Sequence, residues 1–143
     1  MAQRHNQTPA QRGSAGESPG PLSDLERGLV VGVLIGEGHF GGDGRYPHVT
    51  LRMHVRHEAL FRRLLQLFPR TRLYGPYRHG GREYYQWMAR GSALVEEVLP
   101  ALEGVLTEDL DAYAFARMEQ MKQRYATFLA RRRGELDRRG ADS

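Results

Sequence analysis

The sequence predicts an α+β fold in which helices back a four-stranded antiparallel sheet. Three observations support this prediction. A capped apolar run begins near residue 24, two segments alternate as β-hairpins do, and apolar residues at helical spacing separate and follow them. The predicted order is helix, hairpin, helix, hairpin, helix, helix. The chain of 143 residues is long enough for one domain with its own core.

Composition excludes several classes of protein. The chain has no cysteine, so disulfides and thiolate zinc sites are not available. The apolar run at residues 29–35 is too short to cross a bilayer, and the basic N-terminus lacks the apolar region of a signal peptide. We therefore expect a cytoplasmic protein without a membrane partner.

The first predicted helix covers residues 24–36. Ser23 and Glu26 have the spacing of a capping box, which favours a helix over the alternative, a buried parallel strand. Glycine costs about 1 kcal/mol in a helix interior, so several on one face need a reason, and the best one is a second backbone packed against them. Three glycines spaced four apart form such a ridge: Gly28, Gly32 and Gly36.

The end of this helix resembles a known motif. Residues 30–38 read VVGVLIGEG, which resembles the LAGLIDADG motif of homing endonucleases and its frequent variant LAGLIDGEG. Ile35 stands where the family usually has its first aspartate. The matching positions are Gly32, Val33, Leu34, Gly36, Glu37 and Gly38.

The resemblance implies a site-specific endonuclease that cleaves double-stranded DNA. In that family two motif helices pack together and present two acids to Mg²⁺ or Mn²⁺, and Glu37 takes the position of the metal-binding acid. Since the chain contains one motif, the resemblance implies a homodimer with Gly28, Gly32 and Gly36 at its interface. It also implies, less directly, that His54 organises water and that Arg90 lies near the metals.

The same glycines also spell a dinucleotide-binding fingerprint, Gly36-x-Gly38-x-x-Gly41. That motif follows a strand and opens a helix. Here it follows a capped helix and leads into a turn, so we reject this interpretation.

The two hairpins are predicted to present a basic face. Residues 46–56 alternate between apolar and polar side chains, and residues 82–90 do the same with Tyr85, Trp87 and Ala89 on the inner side. Between residues 45 and 90 there are ten arginines and two acids, which indicates a polyanion-binding surface. A solvated arginine-rich surface is the alternative. The predicted DNA-binding residues are His48, Thr50, Arg52, Arg56, Arg72, Arg78, Arg82, Tyr84 and Gln86.

Three further helices complete the predicted fold. One covers residues 57–68, and a second, which Ser92 is predicted to cap, is kinked or broken by Pro100. Thr107 is predicted to cap the last helix. Its predicted apolar stripe consists of Leu110, Ala114, Met118, Met121, Tyr125 and Phe128.

The resemblance extends over about residues 25–106 and implies the family's αββαββα unit, although the element order also fits ferredoxin-like folds. We expect a disordered tail at residues 1–21, the LAGLIDADG-like domain at 22–131 and a flexible basic tail at 132–143. Three functions stay open on the sequence. They are a DNA endonuclease, a regulator that binds DNA without cleaving it, and an RNA-binding splicing helper.

Overall fold

A computed structural model describes residues 11–12 and 20–141. A 3₁₀ turn at Val55–His57 precedes the second helix, and a π-helical segment at Ala93–Val98 leads into the third. The elements in chain order are β1 (Gln11–Arg12), α1 (Asp24–Glu37), β2 (Gly38–Gly42), β3 (Pro47–His54), α2 (Glu58–Leu67), β4 (Arg72–His79), β5 (Arg82–Arg90), α3 (Leu99–Leu102), α4 (Ala112–Arg124) and α5 (Ala126–Ala141).

The predicted α+β class with a four-stranded antiparallel sheet is confirmed. The four long strands lie in the order β4-β5-β3-β2, and every neighbouring pair is antiparallel. The two-residue β1 extends this sheet by pairing Gln11 with Leu73 and Arg12 with Arg72. The rest of the predicted tail at residues 1–21 lies outside the described residues, apart from residues 20 and 21.

The core lies between one face of the sheet and the helices. Trp87 at the centre of β5 is fully buried, as is Phe61 of α2. The Trp87 indole N–H donates to Thr71 Oγ1 over 2.8 Å, and the Thr71 hydroxyl donates to the Phe68 carbonyl over 2.7 Å. These bonds satisfy a hydroxyl and an indole N–H that would otherwise be costly to bury.

The predicted capping box of α1 is confirmed. Ser23 Oγ accepts from the Glu26 backbone N–H, and the Glu26 carboxylate accepts from the Ser23 backbone N–H. The helix ends because Gly38 adopts an extended conformation and starts β2. One side of α1 packs on the sheet through Val30, Val31 and Leu34.

Two predicted caps are wrong. Ser92 is itself helical and makes no capping bond. Pro100 lies at the start of α3. Because proline has no N–H to donate to an earlier carbonyl, the helical bonding before it is irregular, in the π-helical segment Ala93–Val98. Asp111, not Thr107, caps α4, since its carboxylate accepts from the Ala114 N–H over 2.8 Å. The hydroxyl of Thr107 instead accepts from Leu110 in the turn before the helix.

The end of the chain differs from the prediction as well. Leu110 is 55% exposed and contributes nothing to the apolar stripe. The helix breaks at Tyr125, and α5 then runs to Ala141 through the segment predicted as a flexible tail. Leu129 is buried in the core and Arg139 forms an ion pair with Glu96, so α5 is attached to the domain along its length.

Candidate nucleic-acid interface

One face of α1 is not covered by any of the residues that the structure describes. Gly28, Gly32 and Gly36 are exposed, and a Cβ atom added to any of them would meet no atom of the described chain within 4 Å beyond its own helix. Leu25 and Leu29 extend this face and are 83% and 41% exposed. Nothing in the described residues presses against the glycines, so packing among residues 11–12 and 20–141 does not account for them.

Glu37 lies at the end of this open face. It is the last residue of α1 and is exposed. The last turn of α1 contains no basic residue, so the negative end of the helix dipole is not offset there and favours a cation. Gly38 follows, and a Cβ at that position would lie 2.8 Å from the Leu34 carbonyl oxygen. The tight passage from helix to strand therefore requires glycine and fixes where Glu37 stands.

The outer face of the sheet is polar, as the alternation predicts. Along β5 the inward residues Tyr85, Trp87 and Ala89 are buried, whereas the residues between them are partly or fully exposed. The register of β3 and β5 pairs outward residues with outward residues. The predicted binding residues on this face are His48, Thr50, Arg52, Arg72, Arg82, Tyr84 and Gln86.

Arg78 does not belong to this face. It pairs across the hairpin with Glu83, and its guanidinium contacts the Glu83 carboxylate at 2.9 Å. Glu83 lies between Arg82 and Tyr84 on β5, both of which face outward, so Glu83 and Arg78 face the other way. The register of β4 shifts between Tyr74 and the following pair, which reverses the alternation beyond that point. The side chain of Arg78 therefore lies on the opposite face of the sheet from Arg72, Arg82 and Tyr84.

Arg52 is held in place at the centre of the outer face. Its Nε and Nη2 donate to Gln86 Oε1 over 3.3 Å and 2.8 Å. The guanidinium carbon lies 5.0 Å from the centre of the Tyr84 ring. Cross-strand pairing and the aromatic contact orient this cation without neutralising it.

His54 organises the chain after β3. Its Nδ1 accepts from the Arg56 backbone N–H over 2.9 Å and from Arg56 Nε over 3.3 Å. The imidazole therefore caps the 3₁₀ turn at Val55–His57. Arg56 is exposed but folds back onto His54 instead of standing on the strand with Arg52.

Arg90 lies far from His54. Arg90 pairs with His48, whereas His54 pairs with Tyr84 at the other end of the same two strands. Six residues of extended chain separate the two pairs, a distance of about 20 Å. The structure does not bring the three predicted catalytic residues together in one chain.

The end of the sheet near Arg90 carries a pair of histidines that the sequence alone does not predict. The rings of His39 and His48 lie 6.3 Å apart on adjacent strands. Burial, followed by the charge of His39, lowers the pKa of His48. The alternation of β2 places His39 on this face, but β2 is too short for that pattern to be read from sequence alone.

Two basic depressions border the outer face. One of about 400 Å³ is lined by Arg70, Arg72 and Arg90. Another of about 300 Å³ lies between β2 and α4, where Arg117 and Arg124 stand beside His39. Arg117 and Arg124 are seven residues apart on α4, a spacing that puts them on one side of a helix.

A divalent cation would need more ligands than Glu37 of one chain supplies. Among residues 11–12 and 20–141, no three His, Asp or Glu side chains are grouped so that they could hold a metal ion. Glu37 supplies one carboxylate, and two such groups from apposed helices would offer the oxygen ligands that Mg²⁺ prefers.

Comparison of the chain with protein-family models, with curated proteins and with solved structures found no match in any of the three. Within the described segments, no helix has both the length and the apolar character needed to traverse a membrane.

Proposed function

We propose that this protein is a homodimeric, divalent-metal-dependent DNA endonuclease of the LAGLIDADG type. The observation that carries the proposal is the uncovered glycine face of α1 with Glu37 at its end. Glycines spaced four apart allow two helix backbones to approach closely. Two copies of α1 packed on this face would bring two Glu37 carboxylates together.

The arrangement of the remaining elements supports the same proposal. The chain runs α1-β2-β3-α2-β4-β5 into further helices, the order of the αββαββα unit. Its four long strands form one antiparallel sheet whose inner face rests on the helices. The outer face is left for a ligand and carries Arg52, Arg72 and Arg90.

The residues divide into two roles. Arg72 and Arg90 on the outer face bind the phosphates of the duplex and hold it across the sheet, and each phosphate contact releases condensed counterions. Glu37 from each subunit would hold the cation, which when bound offsets the charge that develops on the phosphate during hydrolysis. In this arrangement His54 supports the turn after β3, and Arg90 binds the duplex at the other end of β5.

The test replaces Glu37 by glutamine, which keeps the shape of the side chain and removes its charge. We expect Glu37→Gln to reduce Mg²⁺-dependent nicking to the level seen without metal, while duplex affinity in metal-free buffer stays equal or rises. The substrate is a plasmid library that contains the native locus, assayed with Mg²⁺, Mn²⁺ or Ca²⁺. Glu108→Gln is the matched control, because Glu108 is an exposed acid in the turn before α4.

A DNA-binding regulator without cleavage activity is the second candidate. Ile35 favours it, since this residue occupies the position of the first aspartate and packs partly buried against the core. Wild-type protein that binds its own locus but leaves it intact with every metal would select the regulator and reject the endonuclease.

A further inference from the structure

The side-chain pair Arg52–Gln86 lies in the middle of the outer face and joins its two central strands. The two residues are directly opposite each other on β3 and β5. Arg52 is exposed and Gln86 is partly exposed, so both can reach a ligand lying on the sheet. The hydrogen bonds between them restrict what they can recognise.

Gln86 has no acceptor left for a ligand. Its side-chain oxygen has two lone pairs, and Arg52 Nε and Nη2 both donate to that oxygen. A free glutamine reads adenine by accepting from N6 and donating to N7. With its oxygen engaged, Gln86 can only donate, so the pair cannot recognise the amino groups of adenine or cytosine.

Arg52 keeps donors for a ligand. A guanidinium has five N–H donors, and two of them serve Gln86. The Tyr84 ring lies 5.0 Å from the guanidinium carbon and limits its rotation. The pair therefore presents donors alone, in a fixed orientation. Guanine is the base with two adjacent major-groove acceptors, O6 and N7, and an arginine fork matches them.

We propose that the Arg52–Gln86 pair makes this protein select guanine, at one position in each half of its DNA site. The inference rests on the proposed DNA-binding function and adds a substrate preference to it. The sheet register also locates the base. Gly38, the first residue of β2, pairs with Leu51 of β3. Because the strands are antiparallel, Arg52, the next residue of β3, lies level with Glu37, the residue before Gly38. In a dimer joined through α1, the two guanines lie close to the centre of the site.

The experiment selects binding sites from a randomised duplex library and compares wild type with two variants. Wild type is expected to enrich guanine at two positions related by symmetry. Arg52→Ala frees the amide oxygen of Gln86, so the preference at those positions should change from guanine to adenine. The discrimination of guanine from the other bases at those positions should fall by about 5- to 150-fold, the contribution of one bidentate arginine–guanine contact.

Arg90→Ala is the matched control. This residue is on the same face but at the other end of β5, so its loss should weaken all duplexes alike and leave the guanine preference intact. Unchanged guanine enrichment in Arg52→Ala would overturn the inference and leave DNA binding in place. A wild-type protein that retains no duplex at low salt would overturn the inference together with the proposed function.

Discussion

Gly32 offers a sharp test of the proposed assembly, because substitutions there should affect the single chain and the dimer in opposite directions. A Cβ at this position meets no atom of the described chain within 4 Å outside α1. Gly32→Ala therefore removes the helix penalty of glycine without creating a clash. It should stabilise the isolated chain by about 1 kcal/mol. For a domain of this size that gain raises the melting temperature by roughly 3–6 °C.

The dimer should respond the other way. Two helices in contact through glycine ridges have backbones close enough that each added methyl group meets the partner. A symmetric interface contains the change twice. Gly32→Ala should weaken association, and Gly32→Leu should abolish it. Sedimentation velocity at tens of micromolar measures association, and thermal unfolding at low concentration measures the stability of the separate chain.

Gly134→Ala provides the control for helix propensity. Gly134 lies within α5, and a Cβ there would be 3.7 Å from Arg138 Nη1, an ordinary contact. This variant should gain stability like Gly32→Ala and associate like wild type. If Gly32→Leu sediments as a wild-type dimer, or if wild type is monomeric at tens of micromolar, the reasoning about the glycine face is refuted.

Three further predictions concern the sheet and the core. Arg72→Ala and Arg90→Ala should each lower the salt slope of log K for duplex binding by about 0.9. Arg78→Ala, on the opposite face, should leave that slope unchanged, and equal losses from all three variants would contradict the assigned face. Thr71→Val should cost about 1–3 kcal/mol in urea unfolding, since it leaves the buried indole N–H of Trp87 without an acceptor, and a change under about 0.5 kcal/mol would contradict this. Burial and a neighbouring histidine lower the pKa of His48 in the folded chain, so the His48 imidazole binds a proton more tightly in the unfolded chain. The free energy of unfolding should therefore fall as the pH drops below 6.5. His48→Gln should flatten this pH dependence of stability, measured by urea titrations on either side of pH 6.5. An unchanged pH dependence in that variant would assign the effect to another group.

Local interactions explain why most of the fold could be predicted. The capping box of α1 involves residues three apart, and the alternation of β3 and β5 reflects one buried face, so each is visible in a short window. The start of α4 was not determined in this way. Thr107 and Asp111 are both capping residues, and Leu110 and Ala114 fit one helical stripe. Only the packed structure, with Leu110 exposed and Ala114 buried, selects Asp111.

The candidate site was less predictable because it depends on pairings between distant segments. A hairpin turn sets the register of β4 against β5, but no turn joins β3 to β5. Sequence alone therefore could not reveal that Arg90 meets His48 and lies a strand length from His54. The irregular pairing after Tyr74 was also missed, and it moves Arg78 to the other face.

Two separate interactions position Glu37 in the proposed dimer. Within one chain, buried Val31 and Leu34 hold α1 on the sheet, and this packing sets the distance between Glu37 and Arg52. Between chains, only the glycine face sets the distance between the two Glu37 carboxylates. In the proposed endonuclease, recognition of a half-site would thus be a property of the monomer, and cleavage would be a property of the dimer. Gly32→Leu should accordingly keep the guanine preference of a half-site while losing cleavage of the full site. A monomeric variant that still cleaved both strands would show that one chain contains a complete active centre.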